Sequence, residues 1–193
     1  MEVRTGVHVG VTLSAADLRR CADAVVLSGG IEEPRDIDVP GRALGGIWFA
    51  MDYLTQQNHR LAGDIIEPEA AISAGGKDVV VIGGGDTGCD CVGTAIRQGA
   101  RRFVVILDLR HPPPHAEVLD YWPQRVPVLR HTATERDGCQ RIWNWATVAF
   151  SGQRGKVSQV VMQRLRWEKG DDNRWRQLRR PDDTRRLPPR LVL

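Results

Sequence analysis

The chain has 193 residues, 41% of them hydrophobic and 26% charged, a balance that excludes intrinsic disorder and suits one domain, or a domain with part of another. No apolar run approaches the roughly 20 residues of a membrane span, and the opening MEVRTGVHVG lacks a signal peptide's apolar core, so the expectation is a cytoplasmic protein with no membrane partner. The formal charge is +3, but residues 151–193 hold 12 basic and 5 acidic side chains. Their interleaving in WEKGDDNRWRQLRRPDDTRR, with no nucleic-acid motif beside it, predicts a solvated surface or a protein interface and no nucleic-acid partner.

In chain order, VRTGVHVG predicts a short strand. Ser14 is placed to cap a helix over SAADLRRC, with Leu18 as its apolar contact. ADAVVLSGG predicts a second strand ending at Gly29 and Gly30. This β-α-β opening is too short for a domain and reads as the edge of a larger one. The Pro- and Gly-rich IEEPRDIDVPGRALGG predicts a connecting loop. In GIWFAMDYLTQQN, apolar Ile47, Phe49, Ala50, Met51, Tyr53 and Leu54 predict a helix with a broad buried face.

KDVVVIGGG then predicts a buried strand running into a tight turn, and DTGCDCVGTAIRQGA a helix stopped near Gly99. RFVVILDL predicts the next strand. Strand, turn, helix and strand make the βαβ unit of a doubly wound sheet, so the fold class is α/β, a Rossmann-like dinucleotide-binding domain with a parallel sheet. RHPPPHAEVLDYWPQRVP is proline-rich and predicted extended. RIWNWATVAF and KVSQVVMQRLRWEKGDDNRWRQL predict strands with a hairpin turn around KGDDN, a small β-rich portion. LPPRLVL stops within an apolar run, which predicts an unfinished strand and a domain truncated at its C-terminus.

The chemistry concentrates in VVVIGGGDTGCDC. Gly83, Gly85 and Gly88 fit G-x-G-x-x-G. The first glycine permits a sharp turn off the strand, the second lets a diphosphate approach the backbone, and the third lets the helix pack close to the strand. Free N–H groups and the dipole at the helix start favour the ligand's negative charge. Asp86, beside the helix N-terminus, is expected to cap the helix rather than to catalyse. Asp108 ends the following strand 20 residues past Gly88, where the fingerprint wants a carboxylate for the ribose hydroxyls. That favours NADH, whereas Arg102 and Arg110 nearby are suited to the 2′-phosphate of NADPH, so the choice stays open.

Other constellations carry less. Cys21, Cys89, Cys91 and Cys139 form no CxxC pair and are expected to be buried reduced thiols. His111 and His115 frame HPPPH, whose prolines forbid helical metal-ligand spacing, so surface histidines are expected and no metal site. The Tyr and Lys four apart of a short-chain dehydrogenase are missing: Gln57 follows Tyr53 and Arg125 follows Tyr121 at that spacing. No acid or base stands out as catalytic, which ranks a stand-alone dehydrogenase last.

Together and in order, PRDIDVPGR, FAMDYLTQQN, GGGDTG and CVGTAIRQGA closely resemble the small (beta) subunit of glutamate synthase. The resemblance runs from about Val3 to about Phe150, with WPQRVPVLR inside it, and more loosely to Leu193. It implies an internal fragment of a flavoprotein similar to FAD-dependent pyridine nucleotide-disulfide oxidoreductases. NAD(P)H would be held by Gly83, Gly84, Gly85, Asp86, Thr87 and Gly88, with Asp108 and Arg110 beyond. FAD and iron–sulfur clusters are implied for the complete subunit, though no motif here binds them. The implied activity passes hydride from NAD(P)H to FAD and feeds glutamate synthesis from glutamine and 2-oxoglutarate. The implied partners are the large subunit and the rest of the small subunit. Residues 1–40 would be the edge of the FAD domain and a linker, and residues 41–193 the NAD(P)H domain. TERDG, TVAF and LPPRLVL depart from the family's His-Glu-Glu-Gly, Thr-Lys-Glu-Phe and more acidic last approach. A non-catalytic nucleotide-binding or subunit-interaction module is the alternative.

Overall fold

The computed structural model describes residues 2–30, 33–101, 104–108, 138–172 and 175–193. The chain divides into two compact units, Met1–Glu33 and Pro34–Leu193. In the first, the one helix among the described residues is α1 (Ala15–Cys21), and Ser14 caps it by accepting a hydrogen bond from the Asp17 N–H at 3.1 Å. The two strands expected around it are not formed. Val9 makes an isolated bridge to Leu13, and residues 24–30 have no strand assignment. A strand is defined by its ladder to a neighbour, and Val26 and Leu27 are instead about nine-tenths exposed. Cys21 is also exposed, which corrects the expectation of uniformly buried thiols.

The second unit follows the periodicities closely. Helix α2 (Ala50–Ala62) begins after Ile47 and Phe49 and, in place of the broad buried face expected, has Tyr53 as its one fully buried residue, with Met51 half exposed. It ends at Gly63, whose left-handed backbone lets its N–H return to the Arg60 carbonyl. Strand β1 (Val79–Ile82) leads through the glycine turn into α3 (Asp86–Arg97), and β2 (Val104–Asp108) lies parallel to β1. The chain then forms β3 (Gln140–Trp143), β4 (Trp145–Gln153), β5 (Lys156–Lys169), β6 (Trp175–Leu187) and β7 (Leu191–Val192). One sheet is parallel throughout, in the order β3-β2-β1-β7, and a second is antiparallel, in the order β4-β5-β6. This is the α/β architecture the βαβ pattern predicts.

Strand β1 explains how the layers stack. Its residues are buried along both faces, as a central parallel strand's must be. Val79 and Val81 pack with Tyr53, Cys91, Val92 and Ala95 from the helices. Val80 packs with Phe150, Val160 and Met162 of the antiparallel sheet, with Ile82 against the same cluster. The parallel sheet therefore lies between a helical layer and an antiparallel layer. The final Leu191, Val192 and Leu193 are buried, with β7 beside β1 and Val192 also bonded to Gly46 and Trp48. The apolar ending thus forms a short, fully paired strand of the core.

The β5–β6 hairpin turns at Gly170–Asp172, as KGDDN predicts. Strand β6 runs further than expected, to Leu187, because a register irregularity opposite Gln163 and Arg164 accommodates Pro181. Its arginines at 176, 179, 180, 185 and 186 are exposed. No described helix is long and apolar enough to cross a membrane.

Candidate functional site

The glycine turn sits where β1 ends and α3 begins. Gly83 has φ +116°, a conformation that side-chain-bearing residues rarely adopt, and it swings the chain off the strand. Gly85 is the N-cap of α3, extended at φ −82° and ψ −177°. A Cβ at Gly85 would meet nothing within 4 Å, so the space before the helix is open. Gly88 is the opposite case: a Cβ there would lie 2.1 Å from the Gly83 carbonyl oxygen. The helix can approach the turn this closely only because residue 88 is glycine. Each glycine of the fingerprint therefore meets a different geometric demand.

Asp86 does not cap the helix. It is the first helical residue, whereas an N-cap side chain must sit on a residue with extended backbone, which here is Gly85. The helix has no side-chain cap, so its first-turn N–H groups face the open space without a carboxylate in their way. Asp86 remains favourable to the helix dipole by position alone. Thr87 follows on the same turn. Asp108 closes β2, paired with Trp143 of β3 at the same edge of the sheet as the glycine turn. Arg110, Arg102 and the His111–His115 stretch lie outside the described residues. The described residues contain no group of three or more His, Cys, Asp or Glu able to hold a metal.

Two features escape sequence reasoning. The first is a cleft of about 270 Å³ that meets the turn at Ile82 and Thr87 and includes Arg42, Trp48, Phe49 and Met51. It opens at the carboxyl edge of the parallel sheet, where ligands of open α/β sheets bind. Its charged wall is ordered: Arg42 Nε donates to Asp36 Oδ1 at 2.6 Å, and the guanidinium lies 4.7 Å from the Phe49 ring centroid. The Arg42 hydrogen bond, helped by the Ile37 N–H, holds the Asp36 carboxyl below the usual carboxylate range. Both residues belong to PRDIDVPGR, so the signal was a motif without an assigned role. The second is Arg141 of β3, whose guanidinium reaches the Gly84 carbonyl. No local pattern marks it, because the contact spans 57 residues of sequence.

Cys89 and Cys91 of the motif are buried and free, and both pack into the core shared by the helices and β1. Burial pushes the Cys91 thiol up to about 12, so it stays neutral under ordinary conditions.

No family model matches the chain. The glutamate synthase [NADPH] small chain of Mycobacterium tuberculosis is 41% identical over 160 residues, 81% of this chain and 33% of that one. The glutamate synthase [NADH] of Schizosaccharomyces pombe is 37% identical over 185 residues, 91% of this chain and 9% of that one. Among solved structures, Mycobacterium tuberculosis FprA in complex with NADPH superposes with a TM-score of 0.57 at 17% identity, over 96% of this chain and 52% of that chain. That last likeness establishes the fold alone. The chain spans about a third of the length of the small chain it matches. Within that span, the chain belongs to the glutamate synthase small-chain family.

Proposed function

We propose that this chain is the pyridine-nucleotide-binding segment of a glutamate-synthase-type flavoprotein. The diphosphate of NAD(P)H would lie against the Gly83–Gly88 turn, facing the N–H groups at the start of α3. Asp108 would meet the adenosine ribose, and Arg110, on the stretch after β2, a 2′-phosphate where one is present. The observation that carries the reading is the pairing of a helix packed tightly at Gly88 with open space at Gly85. A purely structural glycine turn needs the first and has no use for the second. Bound NAD(P)H supplies a hydride from its nicotinamide to FAD. The chain's own residues bind and orient the donor, which is where protein binding energy accelerates such a transfer. FAD, iron–sulfur clusters and a large subunit making glutamate from glutamine and 2-oxoglutarate belong to the whole cytoplasmic assembly.

In this reading residues 1–40 are the edge of the flavin domain with its linker, and residues 41–193 are the nucleotide domain. The relatives' names divide between NADPH and NADH, so cofactor choice needs its own test. Titration of the chain with each dinucleotide, repeated on Gly85→Val and Asp108→Ala, supplies it. Gly85→Val should abolish measurable binding of both. Asp108→Ala should weaken NADH more than NADPH. Unchanged affinity in Gly85→Val removes the diphosphate assignment, and equal loss in Asp108→Ala removes the ribose assignment.

A nucleotide-binding or subunit-interaction module without turnover is the second reading. Dye reduction by NAD(P)H with and without added FAD separates the two. Turnover under either condition counts against the module.

A further inference from the structure

Arg141 stands on β3, opposite Ile106 of β2 and separated from β1 by that strand. Its guanidinium nevertheless reaches the glycine turn. Nη1 donates to the Gly84 carbonyl oxygen at 3.1 Å, and Nη2 lies 3.5 Å from Cys89 Sγ in the first turn of α3. The guanidinium carbon sits 5.0 Å from the Trp143 ring centroid, which supports the head group from its own strand. One cation thus ties β3, the turn and the helix start together.

The Gly84 carbonyl and the Gly85 N–H belong to a single planar trans peptide and point in opposite directions. With glycine on both sides, that plane has little steric reason to prefer either orientation. The Arg141 hydrogen bond fixes the carbonyl toward β3 and turns the Gly85 N–H the other way. A flipped peptide would present carbonyl oxygen to the same space and repel an anion. We propose that Arg141 is a positioning residue, holding the Gly84–Gly85 peptide so that its N–H faces the diphosphate of a bound dinucleotide. The inference rests on the dinucleotide reading of the turn. Arginine suits the task because its fixed fork engages the carbonyl and the thiol side of α3 at once, which a lysine ammonium on a flexible stem cannot reproduce.

The test uses the full chain, with ADP-ribose and NADPH as probes, in the wild type, Arg141→Met and Arg141→Lys. Calorimetry gives affinity, and a ¹⁵N spectrum follows the Gly85 amide during the ADP-ribose titration. Arg141→Met should bind both probes about tenfold more weakly, the scale of one charge-assisted hydrogen bond. Its Gly85 resonance should no longer move toward the wild-type bound position. Arg141→Lys should recover part of the affinity and part of the shift. A merely structural arginine would lower the thermal midpoint and leave the Gly85 shift intact. ADP-ribose affinity within about twofold of wild type in Arg141→Met, or an unaltered Gly85 shift, overturns the proposal while leaving the dinucleotide site standing. If Arg141→Met does not fold, wild-type affinity and shift in Arg141→Lys overturn it equally. No binding of either probe by the wild type overturns the dinucleotide reading and the proposal with it.

Discussion

Alanine at Gly88 and alanine at Gly85 should have opposite consequences, and together they test the logic of the turn. At Gly88 the new Cβ would fall 2.1 Å from the Gly83 carbonyl oxygen and 3.2 Å from its carbon. Relief requires helix and turn to part by about 1 Å, and overpacking of this kind costs roughly 1–3 kcal/mol. Gly83 is itself held at φ +116°, so the turn has little freedom to give. Helix propensity acts the other way, since alanine inside a helix gains about 1 kcal/mol over glycine. The net expectation is a loss of about 0–2 kcal/mol, or a midpoint lowered by up to roughly 8 °C for a chain of this size. At Gly85 the backbone is extended and the Cβ meets nothing. The poorer N-cap and the stiffer unfolded chain roughly offset each other, leaving stability within about 0.5 kcal/mol. NADPH affinity should fall about tenfold, because the methyl group occupies the path of the diphosphate. Urea unfolding followed by far-UV circular dichroism reads the first quantity and calorimetric titration the second. Stabilisation of Gly88→Ala by about 1 kcal/mol, as propensity alone dictates, would refute the close-packing argument.

Two further predictions concern the scaffold. Gln98 Oε1 accepts from the Tyr53 hydroxyl at 3.0 Å and the Ala74 N–H at 2.8 Å, and its Nε2 donates to Gln57 at 2.7 Å. Gln98→Leu strands two of these donors in the core beside fully buried Tyr53. It should cost about 2–4 kcal/mol, against about 1 kcal/mol for Tyr53→Phe, read as a shift in urea midpoint at constant slope; a smaller loss than that of Tyr53→Phe refutes the network. Stability should also fall as pH rises above about 9. Burial holds the Cys91 thiol neutral to about 12, against 9.0 for a free thiol. Between these values the unfolded chain has released a proton that the folded chain retains, so the slope is at most about 1.4 kcal/mol per pH unit. Burial raises the Tyr53 hydroxyl as well and adds to the decline. Cys91→Ala should flatten the pH dependence of the urea midpoint, and an unaltered dependence would exclude the thiol as its source.

Much of the α/β unit was legible because its signals are local. Four consecutive apolar residues at β1, glycines at fixed offsets and a helical apolar face all act within a few residues of themselves. The places where expectation failed are places where a local signal needed a distant partner or an accurate boundary. ADAVVLSGG has the composition of a strand, yet residues 24–30 pair with none. Asp86 has a capping side chain, but helix α3 starts one residue earlier than a cap at that position requires. Strand β6 continues past Leu178, where the predicted segment ended, because the irregularity opposite Gln163 admits Pro181.

The sequence by itself determined the glycine turn, its spacing to Asp108 and the family, because those depend on the order of residues along one short βαβ path. Only the tertiary structure decided that Gly88 lies against the Gly83 carbonyl, that Arg42 and Thr87 border one cleft, and that Arg141 grips Gly84. Such contacts join segments brought together by the burial of β1 on both faces. A hydrogen bond over 57 residues leaves no periodicity by which the chain could announce it.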